Sequence, residues 1–231
     1  MIISHEYKCI FVHVPRTGGG TMRRFLSKNN VLNQYVFEEH PILKNRKAYF
    51  YNNTFFQAPY HLPLNFIHKH HSEDFKNYYK FGVIRNPYER FISAFYFRSK
   101  RKVENFESFF DSLDANKTRE YIKSAYIPTL DEDSIRGVQV VTPQYKFLCN
   151  EKDQIIADKI YNTEKLIDVF SEVTKDLQIP NVEFDSISNK HIGYKPKFDK
   201  KLLLNEEIMN WVYNRYRKDF DIFGFNKNYS L

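Results

Sequence analysis

The sequence predicts an α/β fold, a parallel β-sheet flanked by helices. Short runs rich in β-branched and aromatic residues alternate with segments whose apolar residues recur at helical spacing, and turn signals separate the two. With 231 residues, 42% of them apolar and 22 Phe and 17 Tyr among them, the chain can bury one sizeable core. We read residues 1–231 as a single domain.

Residues 8–14 form the first strand, and Met22, Phe25 and Leu26 lie on one face of the helix that follows, so the glycines between them join strand to helix. Residues 79–84 are the second strand. Asn86 and Pro87 end it, and Phe91, Ala94 and Phe95 mark the next helical face. Phe106, Phe109, Phe110 and Leu113 predict a further helix. A third strand is expected within residues 155–161, before a helix capped by Thr163 and carrying Leu166, Ile167, Phe170, Val173 and Leu177 inward. Asn205 caps one last long helix with Ile208, Trp211, Val212 and Tyr216 on its core face and Gly224 at its end. Residues 185–201, polar and with Gly193 and Pro196, are expected to form a long loop, and no repeat or low-complexity tract is present.

The formal charge is +7 and the isoelectric point about 9.1. The lysines are scattered without a long basic block, so the surplus suits anionic ligands and does not indicate nucleic acid. Cys9 and Cys149 are the two cysteines, and Cys9 sits in an apolar run where a reduced, buried thiol is expected. Charged residues interrupt residues 1–22, which read neither as a signal peptide nor as a transmembrane segment. A soluble, cytoplasmic protein is the expectation.

Two stretches carry chemistry. In "PRTGGGTM", residues 15–22, a strand ends in glycines before a helix, where free backbone N–H groups and the helix dipole favour an anion, most naturally a phosphate. Gly18, Gly19 and Gly20 remove Cβ atoms that would block close approach, Thr17 and Thr21 offer hydroxyls, and Arg16 adds a permanent charge. A glycine-rich tight turn without a ligand is the plain structural alternative. The Gly-Lys-Ser/Thr of nucleoside-triphosphate loops is missing, since Thr21 and Met22 follow Gly20. In "VIRNPYERFISAFYF", residues 83–97, Arg85 ends a strand and Ser93 lies in the next helix, so the two can converge on a second phosphate. The alternative makes Arg85 and Arg90 surface ion-pair partners of Glu89.

Together the stretches resemble the paired signatures of sulfotransferases that use 3′-phosphoadenosine 5′-phosphosulfate. Residues 15–22 are similar to the family's 5′-phosphosulfate loop, P-K-T-G-G-T-[ST], and residues 83–97 contain its 3′-phosphate motif, R-[DN]-P-x-x-R-x-x-S. The carbohydrate sulfotransferases of the heparan, chondroitin and dermatan type, with their bacterial relatives, are the most similar in character. "TPQYKFL" at residues 142–148, "IYNTEKL" at 160–166 and "YRKDFDIFGF" near the end extend the likeness as weaker signals. Arg16 replaces the usual lysine, keeping the charge on a differently shaped donor, and Gly20 stands where Thr or Ser is common.

The resemblance implies a P-loop-like sulfotransferase fold and sulfuryl transfer by in-line displacement, with 3′-phosphoadenosine 5′-phosphate as product and no metal required. Residues 16–22 (Arg16, Thr17, Gly18, Gly19, Gly20, Thr21, Met22) would take the 5′-phosphosulfate, and Arg85 and Ser93 the 3′-phosphate. The loop over residues 188–197 would close on the nucleotide, with Lys190 and Lys195 as contacts. The acceptor is a hydroxyl, with a glycan the favoured class. Among eight histidines, His61 in "PYHLPLNFIHKHH" stands where glycan 2-O-sulfotransferases carry their catalytic base, and Arg16 would meet the charge that develops on the leaving group. His68, His70 and His71 could instead be read as metal ligands, His13 as a residue packed under the loop, and His191 as a contact to acceptor or nucleotide. Two other classes stay open: a P-loop small-molecule kinase using ATP and Mg²⁺, with Asp158 as the metal-holding acid, and a nucleotide- or glycan-binding module without turnover.

Overall fold

The computed structural model describes residues 2–31, 48–51, 54–57, 61–130, 140–182 and 195–228. Its contacts divide the chain into two compact units, Met1–Arg85 with Gln144–Lys190, and Asn86–Pro143 with His191–Leu231. The strands are β1 (Ile2–Ser4), β2 (Cys9–Val12), β3 (Ala48–Tyr51), β4 (Thr54–Gln57), β5 (Tyr79–Ile84) and β6 (Lys159–Asn162). The α-helices are α1 (Gly19–Lys28), α2 (Leu64–His70), α3 (Ser72–Asn77), α4 (Pro87–Lys102), α5 (Phe106–Asp111), α6 (Ala115–Tyr121), α7 (Tyr145–Leu148), α8 (Leu166–Asp176), α9 (Glu206–Arg215) and α10 (Arg217–Phe223).

The first unit has the α/β architecture expected, a four-stranded, mostly parallel sheet in the order β1-β2-β5-β6. β2, β5 and β6 run parallel, with Val12 opposite Gly82 and Ile84 opposite Asn162, and β1 adds an antiparallel edge. β3 and β4 form a separate antiparallel pair. Because side chains alternate along a strand, Cys9, Phe11, Phe81, Val83 and Tyr161 all face one core. Met22, Phe25 and Leu26 of α1 and Val169, Phe170 and Val173 of α8 complete it, with Phe25 stacked on Phe170 at 4.7 Å between centroids. On the other face a Cβ at Gly82 would lie 2.6 Å from Leu148 Cδ2, so the missing side chain lets α7 close on the sheet. Both cysteines are buried free thiols, and burial pushes Cys9 up to about 12.

The second unit uses much of the aromatic content. Phe91 and Phe95 of α4, Phe110 of α5 and Tyr126 beyond α6 pack with Ile208 and Val212 of α9. Phe95 meets Phe110 and Tyr126 edge to face, at 5.5 and 4.9 Å. α4 starts as its sequence dictates: Asn86 Oδ1 accepts from Tyr88 N at 2.9 Å, and Pro87 occupies the first turn. Asn205 caps α9 by accepting from Ile208 N at 3.0 Å, and Gly224 closes α10 with φ 69°. Among the described residues, no helix is long and apolar enough to cross a membrane.

Several elements differ from expectation. The last helix is two, broken at Tyr216, whose N–H still reaches Val212 O. Leu113 lies beyond α5, though it packs against the same core. Thr163 is a clasp between strands: its hydroxyl donates to Ile84 O at 2.9 Å, a short 3₁₀ turn follows, and α8 begins at Leu166. Arg90 is 2% exposed and donates to the carbonyls of Val140 and Thr142, a buried bracket and not a surface charge. Residues 155–157 supply only an isolated bridge, Ile155 to Cys149, before β6.

Charge fixes the strand starts of the first unit. Lys80 Nζ donates to Phe75 O and Tyr78 O and pairs with Asp158 at 2.9 Å, while Asp158 Oδ2 also accepts from Lys80 N. Beside them Asp176 accepts from Tyr161 and from Lys159 Nζ at 2.7 Å. Burial alone would raise the Asp176 pKa, but the hydrogen bonds from Lys159 and Tyr161 outweigh it and hold the carboxyl below its ordinary value. A carboxyl depressed on folding stabilises above its unfolded pKa, near 4, and that contribution disappears as pH falls through the lower folded value. Asp176→Asn is therefore expected to lose about 1 kcal/mol at pH 7, and urea unfolding at decreasing pH should show the deficit closing below about pH 4.

Candidate functional site

The chain leaves β2 and turns at once. Val14 N–H donates to Val12 O at 3.1 Å, and the Thr17 hydroxyl to Val14 O at 2.9 Å. Thr17 is fully buried, so the hydroxyl expected to meet a ligand braces the loop from within. Arg16 has φ 67° and Gly18 φ 86°; the left-handed conformation suits glycine and costs Arg16 about 1 kcal/mol. The Gly18 carbonyl accepts from Thr21 N at 2.9 Å and Met22 N at 3.1 Å, which starts α1.

No side chain caps α1 and no acidic residue lies in its first turn. The N–H groups of Gly19 and Gly20 have no acceptor one turn back and take none among the described residues. They are donors at the positive end of a ten-residue helix, where an anion is favoured. Met22 is different from expectation, since its side chain is fully buried in the core and its N–H is taken by Gly18 O. It supports the loop from beneath. Thr21 is half-buried and its hydroxyl accepts from Arg24 at 3.3 Å.

The neighbouring glycines have unequal surroundings. A Cβ on Gly19 would lie 2.2 Å from Cδ2 and 2.8 Å from Nε2 of His13, whereas among the described residues nothing lies within 4 Å of such an atom on Gly20. His13 therefore requires glycine at 19, and no described residue makes the same demand at Gly20. His61, just ahead of α2, joins the same cluster: its Nδ1 lies 2.9 Å from His13 O, and the two rings are 4.4 Å apart. A carbonyl only accepts, so Nδ1 carries the proton and the basic lone pair of neutral His61 sits on Nε2. Desolvation holds the His13 imidazole well below its ordinary value, with the His61 charge as the next cause. His13 lies just past β2 and packs against Gly19 at the start of α1.

Arg85 follows β5 and is half-buried. The Gln144 side chain, fully buried, accepts from Arg85 N and donates to Arg85 O, each at 2.9 Å, and so pairs with its backbone as a neighbouring strand would. Gln144 was not among the expected site residues. Its signal was "TPQYKFL", too short to weigh without knowing that it meets a strand end. Ser93, half-buried on α4, belongs to the second unit, and Arg85 to the first. Lys195 is exposed; Lys190 and His191 lie outside the described residues.

His68 Nδ1 lies 3.3 Å from Asn65 Oδ1, the His70 ring packs on Phe66, and His71 sits 3.9 Å from Asp74. Among the described residues no three His, Cys, Asp or Glu side chains are grouped to hold a metal ion. Asp158 is engaged by Lys80. A cleft of about 460 Å³ runs along β6 and α8, lined in part by Asn162, Glu164, Asp168 and Glu172; its carboxylates oppose a phosphate.

The chain matches the model of the Sulfotransferase family over residues 1–226, a span that includes both units. It belongs to that family, a class of transferases that move sulfuryl groups to hydroxyl-bearing acceptors. No curated protein and no solved structure matches it.

Gly19→Ala should lower the unfolding temperature by an amount equivalent to about 1–3 kcal/mol through its clash with His13, while Gly20→Ala should be neutral or slightly stabilising. Thermal unfolding of the two variants side by side distinguishes them; equal losses would contradict the inequality. Gln144→Ala strips two buried backbone groups of their partner and is expected to cost about 2–3 kcal/mol, measured by urea unfolding.

Proposed function

We propose that this chain transfers the sulfuryl group of 3′-phosphoadenosine 5′-phosphosulfate to a hydroxyl, favouring a carbohydrate acceptor, with His61 as general base. The supporting observation is the start of α1, which among the described residues has no capping side chain and two unengaged glycine N–H groups, beside a histidine tethered to the same loop. Residues 1–231 act on this reading as one catalytic domain, which the family match over residues 1–226 supports. The buried free thiols suit a reducing cytoplasm.

The N–H groups of Thr17, Gly18, Gly19 and Gly20 hold the 5′-phosphosulfate, with Arg16 and Thr21 at the loop's edge. When bound, the donor supplies the sulfuryl group, and 3′-phosphoadenosine 5′-phosphate is the product. Arg85 and Ser93 hold the 3′-phosphate on the strength of their motif, and Lys190 and Lys195 add contacts from the later loop. His61 Nε2 takes the proton of the acceptor hydroxyl, while its Nδ1–H stays on His13 O and keeps the ring oriented. Arg16 and the loop N–H groups meet the charge growing on the bridging oxygen; losing one such donor costs roughly 3–4 kcal/mol in barrier. This chemistry asks for positioning and charge stabilisation and uses no metal.

Calorimetric titration with 3′-phosphoadenosine 5′-phosphate and with ATP, each with and without Mg²⁺, tests the donor site. Metal-independent binding of the former is expected, and a preference for ATP with Mg²⁺ would overturn the reading in favour of a kinase. Arg85→Ala should weaken 3′-phosphoadenosine 5′-phosphate far more than adenosine 5′-phosphate; equal weakening removes Arg85 from the 3′-phosphate. His61→Ala should cut turnover by about 10²–10⁴-fold while donor-product affinity stays within about twofold. Retained turnover would move the base elsewhere, and product binding without any turnover in the unaltered chain would indicate a binding module.

A further inference from the structure

The His13 ring lies against both parts of the site. On one side it is 4.4 Å from the His61 ring, on another its Cδ2 and Nε2 edge occupies the space where a Gly19 side chain would be, and Phe11 of β2 stacks on it at 6.1 Å. Its carbonyl also takes the His61 Nδ1 proton. We propose that His13 is a positioning residue that couples base to donor loop: its ring, wedged between His61 and Gly19 and backed by the sheet, holds the two in fixed relation. This rests on the reading of His61 as the base and the glycine loop as the donor site.

The physical case has three parts. Gly19 begins α1, so a ring that limits where Gly19 can move also limits where the free N–H groups point. The backbone hydrogen bond fixes one end of the His61 ring, and a contacting ring removes the remaining freedom to tilt, which is how a base is kept at productive geometry. A neutral wedge suits this place, because a cation in the half-buried, desolvated position beside His61 is disfavoured. The charges that act on it are those of His61, Arg23 of α1, Arg16 of the loop and the amino terminus, and all of them oppose protonation.

Asparagine is the informative replacement. Its amide places an atom where Cδ2 lies, yet it carries no titratable proton. His13→Ala should lower kcat about tenfold or more with a smaller change in donor KM, whereas His13→Asn should keep kcat within about threefold and leave the kcat–pH profile where it was. If Asn is as damaging as Ala, or if the profile loses a limb in both, His13 acts through a proton and the positioning role is overturned. The second arm is a cycle between His13→Ala and Gly19→Ala read by thermal unfolding, which needs neither donor nor base. Removing the ring should relieve most of the Gly19→Ala loss, and additive losses would overturn the wedge. Retained turnover in His61→Ala sinks the base assignment and leaves this cycle untouched, so the two failures are distinguishable. Should His13→Ala not fold, His13→Ser with and without Gly19→Ala supplies the same comparison, because serine also lacks the Cδ2 and Nε2 edge that meets Gly19.

Discussion

The parallel pairing of β2 with β5 is the constraint on which the site depends. Val12 lies opposite Gly82, so the two strands leave the sheet in the same direction, one into the glycine loop and the other toward Arg85. Apolar side chains on both faces hold that register, because a one-residue slip would turn each strand's core set outward. Gly82 matters in a second way: by giving Leu148 room it lets α7 approach, and Gln144, the residue before α7, clamps the Arg85 backbone.

Beyond the strand, the loop is stabilised from below. Thr17, Met22 and His13 turn inward, and each satisfies a hydrogen bond or fills space beneath the turn. Their combined grip holds Arg16 in a backbone conformation that a non-glycine residue adopts at a cost. The helix start gains neither a capping side chain nor a carboxylate in return, and an anion completes that arrangement electrostatically.

Elements with a long, uniform apolar signal were legible. The run 79–84 corresponds to β5 residue for residue, and Asn86-Pro87 and Asn205 start α4 and α9 through the chemistry their side chains offer. β1 has three residues, too few for any period to register, and β3 and β4, four residues each, lie in a stretch where no strand was expected. In the candidate site the glycine run, Arg16 and His61 were readable from residue type and resemblance. The inward use of Thr17 and Met22 was not, since a hydroxyl or an N–H declares its partner only when the backbone has turned. Nor could sequence rank Gly19 above Gly20, because the difference is made by His13, which is brought against one and not the other by the turn at residues 14–18. Arg90 shows the same limit, being a charged residue that reads as surface and is spent on the carbonyls of residues 140 and 142.

Lys80 has a role in choosing the fold as well as holding it. At 8% exposure it is nearly buried, and its ammonium is satisfied only because Phe75 O, Tyr78 O and Asp158 converge on it. A slip of β5 by one residue would carry that charge to the opposite face, among apolar groups with no acceptor. The penalty for an unpaired buried ammonium exceeds what any single apolar contact returns. The lysine thus works as an editor of strand pairing: it adds little to the correct sheet beyond breaking even, and it makes the incorrect ones untenable.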